Sequence, residues 1–122
     1  MIGYVTLGTN DIQRAAAFYD ALLGEIGAKR VMEYETFIMW AVKPGTPALC
    51  VISPYDKKAA TVGNGVMVSL TCDTKAQVDQ LYNKAMSLGA KDEGPAGPRS
   101  DGFYAGYCRD MDGNKLAFFH MG

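Results

Sequence analysis

Few side chains in this sequence could act in catalysis or bind a metal ion, and the low number of histidines restricts the possible sites most. The 122 residues include one histidine, His120, and three cysteines, Cys50, Cys72 and Cys108. Zinc and non-haem iron sites often use several imidazoles, and one chain with a single imidazole cannot build a multi-histidine site. Ser-His-Asp or Cys-His catalysis would need His120 as its base. The cysteines lack CxxC spacing, which argues against a zinc knuckle or a disulfide framework and favours buried free thiols.

Two aspartates near the end of the chain could suggest a calcium loop. Asp110 and Asp112 lie in the segment Asp110-Met-Asp-Gly-Asn114, which lacks the remaining ligands of such a loop. The segment instead predicts a tight turn between the last two strands. His120 is predicted at a strand end, on the other side of the strand from Ala117 and Phe119, and we interpret it as a structural residue.

Composition narrows the possible partners. The net charge of -1 and the hydrophobic content of 48% are typical of a globular protein and provide no general attraction for nucleic acid or a membrane surface. A small organic molecule or another protein is therefore the expected partner. The sequence shows no signal peptide or transmembrane segment, and its unpaired cysteines indicate a reducing cytoplasm.

The first half of the chain predicts one strand, one helix and three further strands. The strand covers residues 2–7, and Asn10 with Gln13 forms a capping-box pattern at the helix start. An apolar stripe at helical spacing follows, and Gly24 and Gly27 end the helix. The stripe comprises Ile12, Ala15, Ala16, Tyr19, Leu22 and Leu23. Three extended segments are then predicted, at about 28–34, at 37–42 and at 48–53.

The second half repeats this order after a polar connector at 55–63. A strand is predicted at 66–71, Thr74 with Gln77 forms a second capping box, and Gly89 ends the second helix. The helix stripe comprises Val78, Leu81, Tyr82, Ala85 and Leu88. A short extended piece at 90–93, a proline-stiffened loop at 94–99 and strands at 103–109 and 115–120 complete the half.

Both predicted helices lead into the same tripeptide, Gly-Ala-Lys, at 27–29 and 89–91. This similarity predicts two βαβββ repeats, about 1–54 and 64–122, within a single domain spanning 1–122. The fold class is therefore α+β, with a cupped, partly closed mixed sheet and helices on its outer face.

Strand alternation identifies equivalent positions in the two halves. Tyr4 pairs with Met67 in the first strand of each half, and Cys50 pairs with Ala117 in the last strand of each half. All four point away from the predicted helices. We expect them to share one concave surface.

Four segments give the chain a resemblance to a known superfamily. They are Ile2-Gly-Tyr-Val-Thr-Leu-Gly8, Ala17-Phe-Tyr-Asp-Ala-Leu-Leu-Gly24, Gly94-Pro-Ala-Gly-Pro-Arg99 and Arg109-Asp-Met-Asp-Gly-Asn-Lys115. Their order and spacing resemble the vicinal oxygen chelate superfamily, which includes glyoxalase I, extradiol dioxygenases, fosfomycin-resistance transferases and bleomycin-resistance binding proteins. The resemblance implies homodimers and, in the metalloenzymes, a divalent metal held in each cupped sheet.

The sequence departs from that superfamily at the metal-ligand positions. The resemblance implies histidine at positions corresponding to Tyr4 and Met67, glutamate at Ala117 and sometimes glutamate at Cys50. None of the four residues here is a carboxylate or an imidazole. A hard-metal site is therefore not expected, and no cofactor is predicted.

An aromatic and apolar lining remains around these positions, with a few hydroxyl groups. Strand phase leaves open which side of 37–42 and of 103–109 lines the cup, and Trp40 could instead pack in the core or at a dimer interface. Arg99 could hold an anionic group at the rim or remain a solvated loop residue. The predicted ligand-binding residues are Tyr4, Phe37, Trp40, Cys50, Met67, Ser69, Tyr104, Tyr107, Ala117 and Phe119.

Three functional hypotheses fit these residues. The first is a metal-independent protein of the bleomycin-resistance type that holds an aromatic or amphipathic ligand in the cup. The second is a glyoxalase-like lyase or isomerase with relocated catalytic groups, for which Tyr4 as acid–base and Cys50 as nucleophile are the candidates. The third is a dimeric scaffold without a ligand.

Overall fold

The computed structural model describes all residues from Met1 to Gly122 and divides them into two compact units. Unit 1 comprises Met1–Val62 and unit 2 comprises Gly63–Gly122. Each unit contains one helix and one four-stranded mixed sheet. The α+β class and the two βαβββ repeats are thereby confirmed, and neither sheet closes on itself.

Unit 1 consists of β1 (Tyr4–Gly8), α1 (Ile12–Gly24), β2 (Lys29–Tyr34), β3 (Phe37–Ala41) and β4 (Ala48–Ile52). Its strands lie in the order β1-β4-β3-β2. The β1–β4 pair is parallel and the other two pairs are antiparallel. The parallel pair is possible because α1 and the hairpins supply the crossover between its strands.

Unit 2 consists of β5 (Val68–Thr71), α2 (Lys75–Ser87), β6 (Lys91–Ser100), β7 (Phe103–Arg109) and β8 (Lys115–Met121). Its strand order, β5-β8-β7-β6, repeats the topology of unit 1, with β5 and β8 parallel. Neither α1 nor α2 has the length and apolar character that crossing a membrane requires.

The helices begin where short polar side chains cap them, although one predicted cap was wrong. Asp11, not Asn10, caps α1, and its carboxylate accepts a hydrogen bond from the Arg14 amide at 3.0 Å. Asn10 instead binds the backbone of Ala60, accepting from its amide at 2.7 Å and donating to its carbonyl at 3.3 Å. Thr74 caps α2 as predicted, accepting from the Gln77 amide at 3.1 Å.

Each helix buries its apolar stripe against one side of its own sheet. In α1 the buried residues are Ala15, Ala16, Phe18, Tyr19, Leu22 and Leu23. In α2 they are Val78, Leu81, Tyr82 and Ala85. The side of each sheet that faces its helix therefore forms the core, and the opposite side carries the more exposed residues.

The predicted loop at 94–99 was wrong, because this segment belongs to the ten-residue strand β6. Prolines lack an amide hydrogen and are tolerated in edge strands, and β6 is an edge strand that pairs only with β7. The ladder nevertheless has three register shifts, between Asp92 and Gly94, between Gly94 and Gly97, and between Pro98 and Ser100. Gly94 accommodates one of them with a φ of 148°.

Candidate functional site

The side of each sheet that faces away from its helix is termed its open face. Residues directly opposite in neighbouring strands share a side of the sheet, so the strand register assigns each residue to a face. In unit 1, Thr6 lies opposite Cys50, and Cys50 lies opposite Met39. In unit 2, Ser69 lies opposite Ala117, and Ala117 lies opposite Tyr107.

The register also relates the two units to each other in sequence. Thr6 and Cys50 occupy the places in unit 1 that Ser69 and Ala117 occupy in unit 2. Tyr4 stands two residues before Thr6, as Met67 stands two residues before Ser69. Met67 itself lies just before β5 and has 42% of its surface exposed.

The open face of unit 1 is mostly aromatic and apolar. Tyr4 is 59% exposed, and Phe37 and Met39 are half-buried. Cys50 is fully buried between its strand neighbours. Burial raises the pKa of the Cys50 thiol, although a hydrogen bond with the Thr6 side chain partly offsets this rise. The face offers aromatic rings and a thioether to a ligand, whereas the Cys50 thiol is buried and protonated at neutral pH.

The prediction that Trp40 lines the same face was wrong. Trp40 lies opposite Leu49 on the side of the sheet that α1 covers, and it is 1% exposed. Its indole N–H donates to Asp20 Oδ1 of α1 at 2.8 Å, and its ring packs against Tyr19 with centroids 5.7 Å apart. The apolar run 37–42 does not alternate with polar residues, so the sequence alone could not show which of its side chains face the helix.

The open face of unit 2 combines rings with hydroxyl and cationic groups. Ala117 is buried, Phe119 and Tyr107 are half-buried, and Ser69 is exposed. The Phe119 ring stacks on Phe103 with centroids 5.7 Å apart. These side chains form a partly aromatic surface.

Tyr104, predicted for this face, lies on the opposite one. Its hydroxyl donates to Asp79 Oδ1 of α2, and this hydrogen bond is the main cause that raises the pKa of Tyr104. Tyr107, three residues later in β7, is on the open face. Sequence had left this choice open, and the contact with α2 decides it.

A divalent metal of the kind that the superfamily's enzymes carry does not fit these positions. Tyr4, Met67, Cys50 and Ala117 together offer one phenol, one thioether and one thiol, and Cys50 is held as the neutral thiol. Mg²⁺, Mn²⁺ and Fe²⁺ prefer carboxylate or imidazole ligands. Nowhere in the chain do three or more His, Cys, Asp or Glu side chains form a group that could hold a metal ion.

The cysteines, Asp110 and His120 are buried in the fold or bonded to its backbone. All three cysteines are free and buried, which confirms the prediction. Asp110 is 6% exposed and organises the predicted turn, accepting from the amides of Asp112 and Asn114 at 2.9 Å each. His120 Nδ1 lies 3.0 Å from the Cys72 carbonyl, on the helix side of β8.

Two residues beside the predicted set were missed. Met39 lies on the open face of unit 1 opposite Cys50, and Lys115 lies over the Tyr107 ring in unit 2 at 5.6 Å. Strand alternation could have found Lys115, since it stands two residues before Ala117. Unit 1 also has a cavity of about 540 Å³ beyond the carboxyl ends of β1 and β4, and none of the predicted site residues lines it.

A family comparison supports the resemblance seen in the sequence. The sequence model of the Glyoxalase/Bleomycin resistance protein/Dioxygenase superfamily matches residues 1–118. No curated protein sequence matches the chain.

Solved structures share the fold over nearly the whole chain. A glyoxalase/bleomycin resistance protein from Albidiferax ferrireducens is 30% identical, with a TM-score of 0.92 and coverage of 100% of this chain and 99% of that one. A hypothetical protein from S. aureus is 25% identical, with a TM-score of 0.75 and coverage of 98% and 92%. A lactoylglutathione lyase from Agrobacterium tumefaciens is 22% identical, with a TM-score of 0.73 and coverage of 98% and 92%.

Proposed function

The chain belongs to the Glyoxalase/Bleomycin resistance protein/Dioxygenase superfamily, and we propose that it is a metal-independent binding protein of the bleomycin-resistance type. Its ligand is a small aromatic or amphipathic molecule. The ligand contacts an open sheet face and is held there without being chemically changed.

One observation carries this proposal. The superfamily's metalloenzymes carry metal-ligating side chains at four positions, which are occupied here by Tyr4, Cys50, Met67 and Ala117. These residues lie beside aromatic side chains rather than carboxylates. Small-molecule sites are lined mainly by apolar and aromatic side chains with a few polar groups, and these faces have that composition. Tyr4 and Met67 remain 59% and 42% exposed, so both are available for contact with a ligand.

The glyoxalase-like lyase or isomerase is less well supported. A cysteine attacks a substrate as its thiolate, and burial raises the pKa of the Cys50 thiol above its ordinary value of 9.0. No histidine lies in either open face to act as a base, since His120 is on the helix side of β8. The likeness to a lactoylglutathione lyase, at 22% identity, concerns the fold alone.

A homodimer is also part of the proposal. The resemblance implies one, and unit 1 leaves large apolar side chains exposed on its sheet, among them Tyr4, Met32 and Tyr34. We expect light scattering coupled to size exclusion to give about twice the chain mass of 13.2 kDa. A mass of one chain at micromolar concentration would contradict the dimer.

Metal analysis tests the absence of a metal requirement. The protein is purified without metal-affinity steps and dialysed against metal-free buffer, and its content of Zn, Ni, Mn and Fe is then measured. We expect well under one equivalent of each. Tightly bound metal at one equivalent would contradict metal independence.

Ligand binding can be tested with a neutral aromatic probe, phenylnaphthylamine, whose fluorescence rises in apolar surroundings. We expect saturable binding and a rise in melting temperature that depends on probe concentration, because the probe binds the native state. The Tyr4→Ala and Phe119→Ala variants should weaken binding. The comparison variant is Tyr55→Ala, which removes a ring that is 97% exposed and lines the cavity of unit 1 outside the open faces. It should leave binding unchanged, because the probe is expected on an open face and not in that cavity.

A further inference from the structure

A group of cations surrounds Tyr107 on the open face of unit 2. The Arg99 guanidinium carbon lies 5.4 Å from the Tyr107 ring centroid, and Lys115 Nζ lies 5.6 Å from it. Arg109 is opposite Lys115 in the β7–β8 ladder, and Lys91 is opposite Arg109 in the β6–β7 ladder. This face is therefore strongly basic in a protein whose net charge is -1.

The single carboxylate among these cations is already paired. Glu93 accepts a hydrogen bond from Arg109 Nε at 2.6 Å, which is the main cause that lowers the pKa of Glu93. Arg99 and Lys115 have no carboxylate within ion-pair distance. Glu93 also attracts Lys115 and Lys91 electrostatically, but neither Arg99 nor Lys115 has a carboxylate as an ion-pair partner of its own.

The backbone of β6 holds the Arg99 guanidinium in one orientation. Its Nη1 donates to the carbonyls of Gly97 and Pro98 at 3.1 and 3.4 Å, and its Nη2 donates to the carbonyl of Pro95 at 2.6 Å. A guanidinium has five N–H donors. The Nε–H and one Nη2–H therefore have no protein acceptor and remain available to donate to an oxyanion.

Close packing around Gly94 fixes the ring and the guanidinium together. A Cβ at this position would lie 3.2 Å from Tyr107 Cδ2 and 3.3 Å from Arg99 Nη2. The positive φ of Gly94, 148°, also disfavours any other residue. Arg99 is therefore positioned before any ligand arrives, which lowers the entropy lost on binding.

We propose that Arg99 and Lys115, here called the Arg99–Lys115 pair, bind an oxyanion carried by the ligand. The ligand is then an aromatic or amphipathic molecule with a carboxylate, sulfonate or phosphate group. Its anionic group lies at the Arg99–Lys115 pair and its apolar part contacts the stacked rings of Phe103 and Phe119. This inference rests on the proposed function and adds the charge of the ligand to it.

Two related fluorescent probes separate charge from aromatic contact. Anilinonaphthalenesulfonate carries a sulfonate, whereas phenylnaphthylamine has a similar ring system without one. Both are titrated into the native protein and into the Arg99→Gln, Lys115→Gln and Lys43→Gln variants. Lys43 is an exposed lysine in unit 1, so its variant removes the same charge away from the pair.

We expect the wild-type protein to bind the sulfonate more tightly than the neutral probe. Arg99→Gln and Lys115→Gln should each weaken sulfonate binding by about tenfold, since hydrogen bonds and ion pairs to a charged group are involved. Binding of the neutral probe should change less than about twofold in all variants, and Lys43→Gln should behave as wild type. Added salt should weaken sulfonate binding more than neutral binding.

The outcomes distinguish this inference from the proposed function. If both probes bind alike and neither the Arg99 nor the Lys115 variant changes sulfonate affinity, the anion site is refuted while the aromatic site stands. If neither probe binds, both proposals fail. The Lys115 side chain makes no hydrogen bond or ion pair that holds the fold together, so Lys115→Gln keeps the test valid even if Arg99→Gln perturbs β6.

Discussion

A single buried carboxylate determines the shape of the last turn. Asp110 accepts hydrogen bonds from the amides of Asp112 and Asn114 through Oδ1 and from the Asn114 side chain through Oδ2. Its neighbour Gly113 adopts a φ of 90°, which glycine accommodates without strain. The segment that resembled the start of a calcium loop thus directs its carboxylate to its own backbone.

The Asp110→Ala variant tests this role. Removing the carboxylate leaves buried donors without an acceptor, so we expect the free energy of unfolding to fall by about 2–4 kcal/mol. Urea denaturation followed by circular dichroism measures the loss. Asp101→Ala, in an exposed turn, is the control and should change stability by less than about 0.5 kcal/mol. Equal effects of the two substitutions would contradict the assigned role.

At the scale of elements, Asp20 connects α1 to two strands of its sheet. Its carboxylate accepts from Trp40 Nε1 of β3 and from Arg30 Nε and Nη2 of β2, at 2.8, 2.9 and 2.7 Å. The hydrogen bond from Arg30 is the main cause that lowers the pKa of Asp20. The same network holds Trp40 on the helix side and keeps it away from the open face.

Asp20→Ala should weaken this connection. We expect a loss of about 1–2 kcal/mol in unfolding free energy, because the Trp40 N–H, in a residue only 1% exposed, loses its acceptor. The matched control is Glu33→Ala, which removes another carboxylate that pairs with Arg30, at 2.9 Å, but lies in β2 with 61% of its side chain exposed. Its expected cost is below about 0.5 kcal/mol. Chemical denaturation measures both, and a larger loss in Glu33→Ala would contradict the role of Asp20.

At the scale of the whole molecule, buried thiol and phenol groups make the protein less stable at alkaline pH. Burial raises the pKa of Cys72 to about 11 and that of Cys108 to about 12, from an ordinary value of 9.0. Burial likewise raises the pKa of Tyr82 to about 12, from 10.0, and a hydrogen bond to Asp92 adds to this rise. The folded protein therefore keeps protons that the unfolded chain releases as the pH passes these ordinary values.

The sign of this linkage predicts a loss of stability in base. The contribution of these groups is fully present below about pH 8 and is lost as the pH rises from about 9 towards 12. Each buried thiol should cost about 1.4 kcal/mol per pH unit in that range. Urea unfolding at about pH 7.5 and about pH 10, which lie below and above the ordinary thiol pKa, should show the loss. The Cys108→Ala variant should lose less stability between these two pH values. An unfolding free energy that is unchanged between these pH values would contradict the prediction.

The sequence by itself determined the order of elements and the repeat. The bounds of α1, α2 and most strands could be predicted closely, because their signals depend only on residues near in sequence. These signals are the apolar helical stripes, the capping residues and the glycines at the helix ends. It also indicated the equivalence of Tyr4 with Met67 and of Cys50 with Ala117, because strand alternation is a strict period of two. The α1 cap was misplaced by one residue, since Asn10 and Asp11 are both good caps and only the bond from Asn10 to Ala60 separates them.

Only the tertiary structure decided which ring lies on which face. Trp40 and Tyr104 were predicted to line the site, and each is instead held on the helix side by a carboxylate from a distant part of its unit, Asp20 or Asp79. The segment predicted as a loop pairs with β7 at the edge of the sheet and so belongs to strand β6. This pairing places Arg99 against the Tyr107 ring. These outcomes depend on hydrogen bonds and packing between segments remote in sequence, which local propensity and periodicity do not encode.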